Sequence, residues 1–360
     1  VYMPMEGLLD DEADTTTIGG LWDYLHTTYP DSFEDPFQKK RYAFTQACAE
    51  SARYRDWRVT AYRNHVDAAQ ETQFCACTFV IPDGSRYISL RGTDLTVAGW
   101  KEDLNMSFMV VPAQTESIEY AEKIAASFDG ALMLGGHSKG GNLAVYAAAH
   151  MSDATRARLS RIYSIDGPGV DEATLHSGEY AQISSRIESY IPQSSVVGML
   201  LCYHPVYTVV KSSAVGIWQH DALSWQVKDG AFETHDELDL GGRIADEALR
   251  VWIDGLTLED RRSLTDTVFR LISAVDPETI DPLVQNPSGS SLKMLSAFHR
   301  LDLKTQISTR RILNGLFASG AQEAVRLLLP RTMRGIGLLP RIADKLEPKP
   351  EPPREDAPTA

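Results

Sequence analysis

Residues 131–150 read ALMLGGHSKGGNLAVYAAAH. The first four are wholly apolar and too few for a helix, which suits a strand buried on both faces. Beyond the glycines, Leu143, Tyr146, Ala147 and His150 recur at helical spacing. A short buried strand that turns sharply into a helix is the setting of a nucleophile elbow. Gly136-His137-Ser138-Lys139-Gly140 matches the G-x-S-x-G pattern of such a turn. The flanking glycines let strand and helix approach, and the helix N-terminus aims backbone N–H groups at any anion formed beside the serine hydroxyl. The plainer alternative for the same five residues is a glycine-rich turn that binds a phosphate, or nothing.

Upstream, residues 73–82 read as a strand, Asp83-Gly84 as a tight turn and residues 86–90 as the returning strand of a hairpin. Ile118, Ala121, Ile124 and Ala125 mark one face of a helix that stops at Asp129-Gly130. Downstream, residues 161–165 form a short strand ended by Asp166-Gly167-Pro168-Gly169, and residues 186–191 another ended by Pro192. Alternating strands and helices predict an α/β fold, a mostly parallel sheet with helices on both faces.

Residues 1–70 read as a mostly helical, polar lead-in with a loop around Pro36 and the acidic cluster at 31–35. From about residue 238 the texture becomes helical throughout. Ile244, Ala248, Val251 and Trp252 form one stripe, Leu264, Val268, Leu271 and Ile272 a second, and residues 321–329 a third. The expected organisation is a domain over 1–235, a helical subdomain over 236–345 and a disordered, proline-rich acidic tail over 346–360.

The chain has 360 residues with ordinary globular proportions, 43% apolar and 23% charged. Thirty-five basic against 49 acidic side chains give a net charge of -14. That balance repels phosphate backbones and argues against nucleic acid as a partner. It argues likewise against steering to an anionic membrane, although a local basic patch could survive the average. Four cysteines make no disulfide scaffold, and Cys75 and Cys77, two apart, share one strand face as reduced buried thiols. No metal-ligand spacing accompanies them, and neither metal nor cofactor is expected. Residues 1–10 lack a basic region followed by an apolar core, and residues 196–210 are too short to span a bilayer. A soluble cytoplasmic protein without a transmembrane segment is the expectation.

Several of these stretches together carry a resemblance. Arg91-Gly92-Thr93, then Trp100 and Asp103, then the run from Gly136 to Ala144, is similar to the class 3 lipase pattern. The lysine after the serine, Asp166-Gly167-Pro168-Gly169, and Gln219-His220-Asp221 with Trp225 resemble more closely the Mbeg-like bacterial branch of the α/β-hydrolases. The similarity covers about residues 20–230, and the helical C-terminal part adds no motif to it. The resemblance implies an α/β-hydrolase fold with a C-terminal helical extension, and a serine esterase or lipase-like activity on an acyl ester, lipids included.

It also implies roles. Ser138 is the nucleophile, and Thr93 with the backbone N–H of Lys139 is the oxyanion site. The base is a histidine late in the chain. His220 sits in the loop where the family has it, with His204 the next candidate. The acid departs from the lipase pattern: Ser195 stands where the aspartate would be. Asp166, which ends an earlier strand on the same sheet edge, is the expected substitute. A Ser-His dyad supported by Ser195 is the alternative, and Asp221 beside the histidine a weaker one. Lys139 reads as a surface lysine snorkelling to water, or else as an attractor of an anionic substrate group, since a cation in the first turn opposes the helix dipole. Trp100 and Asp103 read as struts for the loop after Thr93. Residues 196–210 are expected to line an acyl pocket. The rival to an esterase is a non-catalytic module of the same fold that binds a ligand, or a protein partner through the helical extension.

Overall fold

A computed structural model describes residues 1–30, 38–94, 96–279, 282–283 and 286–328. Its centre is a nine-stranded mixed sheet. β1 (Thr15–Thr17), β2 (Arg58–Asp67), β3 (Thr72–Val80) and β4 (Arg86–Leu90) form an antiparallel meander. β5 (Leu132–His137), β6 (Leu159–Ile165), β7 (Ile187–Pro192) and β8 (Thr208–Val210) then add in parallel, in chain order. Between β8 and the sheet's last strand lie β9 (Val227–Lys228) and β10 (Ala231–Phe232), a separate two-stranded pair; β11 (Thr234–His235) closes the sheet antiparallel to β8.

The helices that matter for the site are α1 (Ile18–Thr28), α2 (Lys39–Glu50), α3 (Val97–Asn105), α4 (Pro112–Ala126) and α5 (Lys139–His150). α5 and α4 cover one face of the sheet, where Leu132, Leu134, Ile88, Leu90 and Ile162 meet Leu143, Ala144, Ala147, Ala148, Tyr120 and Ala121. α1 and α2 cover the meander on the other face, over Val59, Tyr62, Cys75 and Cys77. β3 therefore divides its side chains, with Phe74 and Ala76 on the first core and Cys75 and Cys77 on the second. Every residue from Lys139 to Ala149 is buried, and six of these eleven are glycine or alanine. Each large apolar side chain in these cores contributes about 1.5–3 kcal/mol by leaving water.

The hairpin over residues 73–90 pairs Val80 with Arg86, around the Asp83-Gly84 turn. The lead-in is less helical than its composition suggests, because it contains β1 and the ten-residue β2. A bulge between Thr60 and Arg63, with Ala61 at φ 53°, breaks the alternation by which β2 could have been read. The acidic cluster at 31–35 and Pro36 lie outside the described residues, as do Leu329, the end of the helical part and the acidic tail.

Among the described residues, four long helices follow residue 238: Leu240–Asp254, Leu258–Ser273, Pro287–His299 and Leu303–Leu328. The second opens with a capping box, in which Thr257 and Asp260 exchange side-chain and backbone hydrogen bonds. Its most buried side chains are Thr265, Thr267 and Phe269, and the Leu264–Val268 stripe is only half-buried. The reason is that this helix is covered by α3 as well as by its own helical neighbours. Phe269 and Ile272 pack on Val97 at the start of α3, and the Val97 N–H donates to the Glu278 carbonyl at 2.8 Å. No helix among the described residues is long and apolar enough to cross a membrane.

The parallel strands all run the same way, so their carboxyl ends share one edge. Arg91 to Thr93 leave β4 there, Ser138 leaves β5, Asp166 leaves β6, and Ser195 follows β7. A crevice outside the carboxyl ends of parallel strands is where open α/β sheets place their ligands.

Candidate active site

Ser138 joins β5 to α5 at φ 59° and ψ -132°. A non-glycine residue in this region costs about 1–3 kcal/mol, which the packing around it must offset. Its N–H donates to the Ile165 carbonyl at 3.0 Å, and its carbonyl accepts from Gly141 N–H at 2.9 Å. Gly140 makes the turn sterically possible, since a Cβ there would stand 2.1 Å from the Leu90 carbonyl oxygen. The Ser138 side chain is half-exposed, and its hydroxyl has no hydrogen-bond partner among the described residues. The Ser138 hydroxyl thus makes no hydrogen bond to His220.

His220 ends a 3₁₀ turn at Gly216–His220. Its Nδ1 lies 2.7 Å from Asp166 Oδ2. Asp166 is buried, again at positive φ (46°), and its other oxygen accepts from Ser195 Oγ at 2.6 Å and from Gly198 N–H at 3.1 Å. A carboxylate can only accept, so His220 donates through Nδ1, and in the neutral ring this tautomer leaves the lone pair on Nε2. Ser195 and Asp166 thus work together: the serine donates to the carboxylate.

The loop around His220 is clamped on both sides. Buried Gln219 accepts the Ser194 N–H at 2.9 Å, and Trp225 Nε1 donates to the Gln219 carbonyl at 2.8 Å. Asp221 caps Leu223 N–H at 3.1 Å and pairs with Lys40 at 2.9 Å. The other histidines after Ser138 are occupied elsewhere. His204 Nδ1 meets the Tyr180 hydroxyl at 2.8 Å, and His150, His176, His235 and His299 meet backbone carbonyls.

Gly92 brings the end of β4 against the elbow: a Cβ there would lie 2.5 Å from the His137 carbonyl oxygen and 3.0 Å from Ser138 Cβ. The backbone N–H of Thr93 has no turn or cap hydrogen bond among the described residues. Lys139 is the first residue of α5, where N–H groups lack intrahelical partners. The Thr93 hydroxyl, by contrast, is committed: it donates to Asp103 Oδ2 at 2.5 Å. Burial pushes the Asp103 carboxyl up to about 6. Trp100 Nε1 donates to the Asp94 carbonyl at 3.0 Å, so Trp100 and Asp103 both brace the loop that Thr93 begins.

The side chain of Lys139 contradicts both expectations for it. It is fully buried, with Nζ donating to the Gln73 carbonyl at 2.8 Å, to Gln73 Oε1 at 2.9 Å and to Glu102 Oε2 at 2.9 Å. The cation neither snorkels nor meets a substrate, because β3 and α3 supply a complete set of acceptors inside. Of residues 196–210, expected to line an acyl pocket, two are taken up in packing. Met199 and Val209 pack with Ile191 and Leu238 as a small core of their own.

Sequence reasoning missed His137 and Tyr2. His137 Nε2 lies 2.7 Å from the His220 carbonyl, its Nδ1 is 3.2 Å from the Tyr2 hydroxyl, and its ring centroid is 4.5 Å from that of His220. Burial, with the His220 ring beside it, pushes His137 down to about 4 from the ordinary 6.5. The folded protein thus refuses a proton that the unfolded chain accepts. The resulting stability is fully present above about pH 6.5 and is lost as pH falls toward 4. Thermal melts across that window are expected to show a shallower acid decline in His137→Asn than in the parent protein. Parallel declines would show that other groups control it.

Comparison with known proteins adds the following. A family model described as Mbeg1-like matches residues 48–270. The chain belongs to the Mbeg1-like family. The Mbeg1-like match runs from the end of α2 through the sheet and into the helix Leu258–Ser273, so it extends past residue 230 into the first two helices of the C-terminal part. No curated protein and no solved structure matches the chain.

Proposed function

We propose that this Mbeg1-like protein is a serine hydrolase of the α/β-hydrolase fold that cleaves carboxylic esters through an acyl-enzyme on Ser138. The observation that carries the reading is the Asp166–His220 contact of 2.7 Å beside a serine held in a strained strand-to-helix turn. In the first half-reaction His220 Nε2 takes the Ser138 proton while Oγ attacks the acyl carbon. The oxyanion rests on the Thr93 and Lys139 backbone N–H groups. The His220 imidazolium, held by Asp166, gives the proton to the leaving alkoxide, and the alcohol departs. In the second, His220 deprotonates a water that attacks the acyl-enzyme, and the acid is released.

The substrate is an acyl ester, with lipids included in the class. The buried free thiols Cys75 and Cys77 suit a reducing compartment such as the cytoplasm. One observation favours the rival, a non-catalytic binding module: the unformed Ser138–His220 hydrogen bond. A fluorophosphonate probe separates the two. Labelling of one site per chain that disappears in Ser138→Ala supports the hydrolase, while folded protein that takes no label supports the module.

A further inference from the structure

We propose that Tyr2 is a positioning residue that locks the oxyanion side of the site to its base side through His137. This rests on the hydrolase reading above and adds a residue that touches no reacting atom. The Tyr2 hydroxyl accepts the Gly92 N–H at 3.0 Å and lies 3.2 Å from His137 Nδ1. Its own proton then points to Nδ1, and burial, which pushes the phenol up to about 12, keeps that proton in place. His137 must therefore carry its proton on Nε2. That nitrogen faces the His220 carbonyl at 2.7 Å, an atom that can only accept. The opposite tautomer would set a bare Nε2 against a carbonyl oxygen.

The bonds form one directed chain, from Gly92 N–H to Tyr2 O–H to His137 Nε2–H to the carbonyl of His220. Gly92 precedes Thr93 and His137 precedes Ser138, and so a single phenol joins the segments of oxyanion site, nucleophile and base. The ring itself is held by α2, whose Arg41 guanidinium sits 4.8 Å over its centroid. The neutral His137 ring lies against His220, where a second positive charge would oppose imidazolium formation.

Tyr2→Phe keeps the ring and removes only the hydroxyl. Hydrolysis of p-nitrophenyl butyrate is expected to lose about 10- to 100-fold in kcat with KM changed less than about twofold, the scale of a small misplacement. Fluorophosphonate labelling is expected to slow in parallel, yet still reach one site per chain. An unchanged kcat, or label that stops well short of one site, would overturn the proposal. His137→Gln, which retains a donor toward the His220 carbonyl, is expected to keep at least about tenfold more kcat than His137→Ala; equal losses would count against the chain of bonds. Nitrogen-15 spectra of the histidine rings read the same chain without activity. His137 should show a protonated Nε2 and a bare Nδ1, drifting toward mixed tautomers in Tyr2→Phe, and an unaltered pattern in the variant would sink the idea. A parent protein that takes no label would overturn the hydrolase reading, and the ring spectra would still decide the role of Tyr2.

Discussion

Asp166→Asn is expected to lower ester turnover by about 10⁴ while the protein stays folded. The direction follows from the donors around the carboxylate. Ser195 Oγ and Gly198 N–H both point at Oδ1, and the His220 ring nitrogen faces Oδ2. An asparagine in this place must turn its carbonyl toward the two donors, which leaves its NH₂ facing His220. Nδ1 then has to accept, the ring proton moves to Nε2, and the nitrogen that should take the Ser138 proton already carries one. The cost is thus an inverted tautomer rather than a lost contact. Steady-state kinetics with a melting curve for each protein measure it. Near-normal turnover in folded Asp166→Asn would remove Asp166 from the mechanism. Ser195→Ala leaves the carboxylate charge and its bond to His220 intact, and a loss nearer tenfold is expected, the scale of one hydrogen bond to a charged group.

Lys139→Met is expected to destabilise the protein by about 3–5 kcal/mol, measured by chemical denaturation. The lysine and Glu102 side chains are both 0% exposed, so loss of the ammonium strands a buried carboxylate. Glu102 also accepts Gln73 N–H at 3.0 Å and Ala113 N–H at 2.9 Å, which ties β3, α3 and α4 to the first turn of α5. Removing the cation also leaves two acceptors of Gln73 without their donor. Adding Glu102→Gln to Lys139→Met should recover part of the loss, because a neutral amide is far cheaper to bury than an unpaired charge. A change below about 1 kcal/mol in the single variant would mean that water reaches the pair and screens it.

Residues 131–150 and the hairpin over 73–90 could be read without any tertiary knowledge. A run of apolar residues, a glycine-flanked turn and a 3.6-residue stripe are local signals, each carried by neighbouring residues. The strand ends at Ile165 and Pro192 were legible for the same reason, and with them the edge on which Ser138, Asp166 and Ser195 lie. His220 entered through the resemblance of Gln219-His220-Asp221, since a loop histidine has no periodicity to betray it. β2 escaped because its bulge shifts the register partway along the strand.

The supports of the site were decided only by the packed structure. Lys139 reads as a surface cation until Gln73 and Glu102, 66 and 37 positions away, are seen to enclose it. Tyr2 meets His137 across 135 positions, with no pattern in either segment to announce the other. The amino-acid sequence alone determined the strand-turn-helix that presents Ser138, because backbone geometry and apolar spacing are properties of neighbouring residues. Which charges are buried, which tautomers are held and which carboxylate faces His220 depend on groups brought together from distant strands, and only the tertiary structure decides them, since a buried donor's energy is set by whatever acceptor the fold delivers to it.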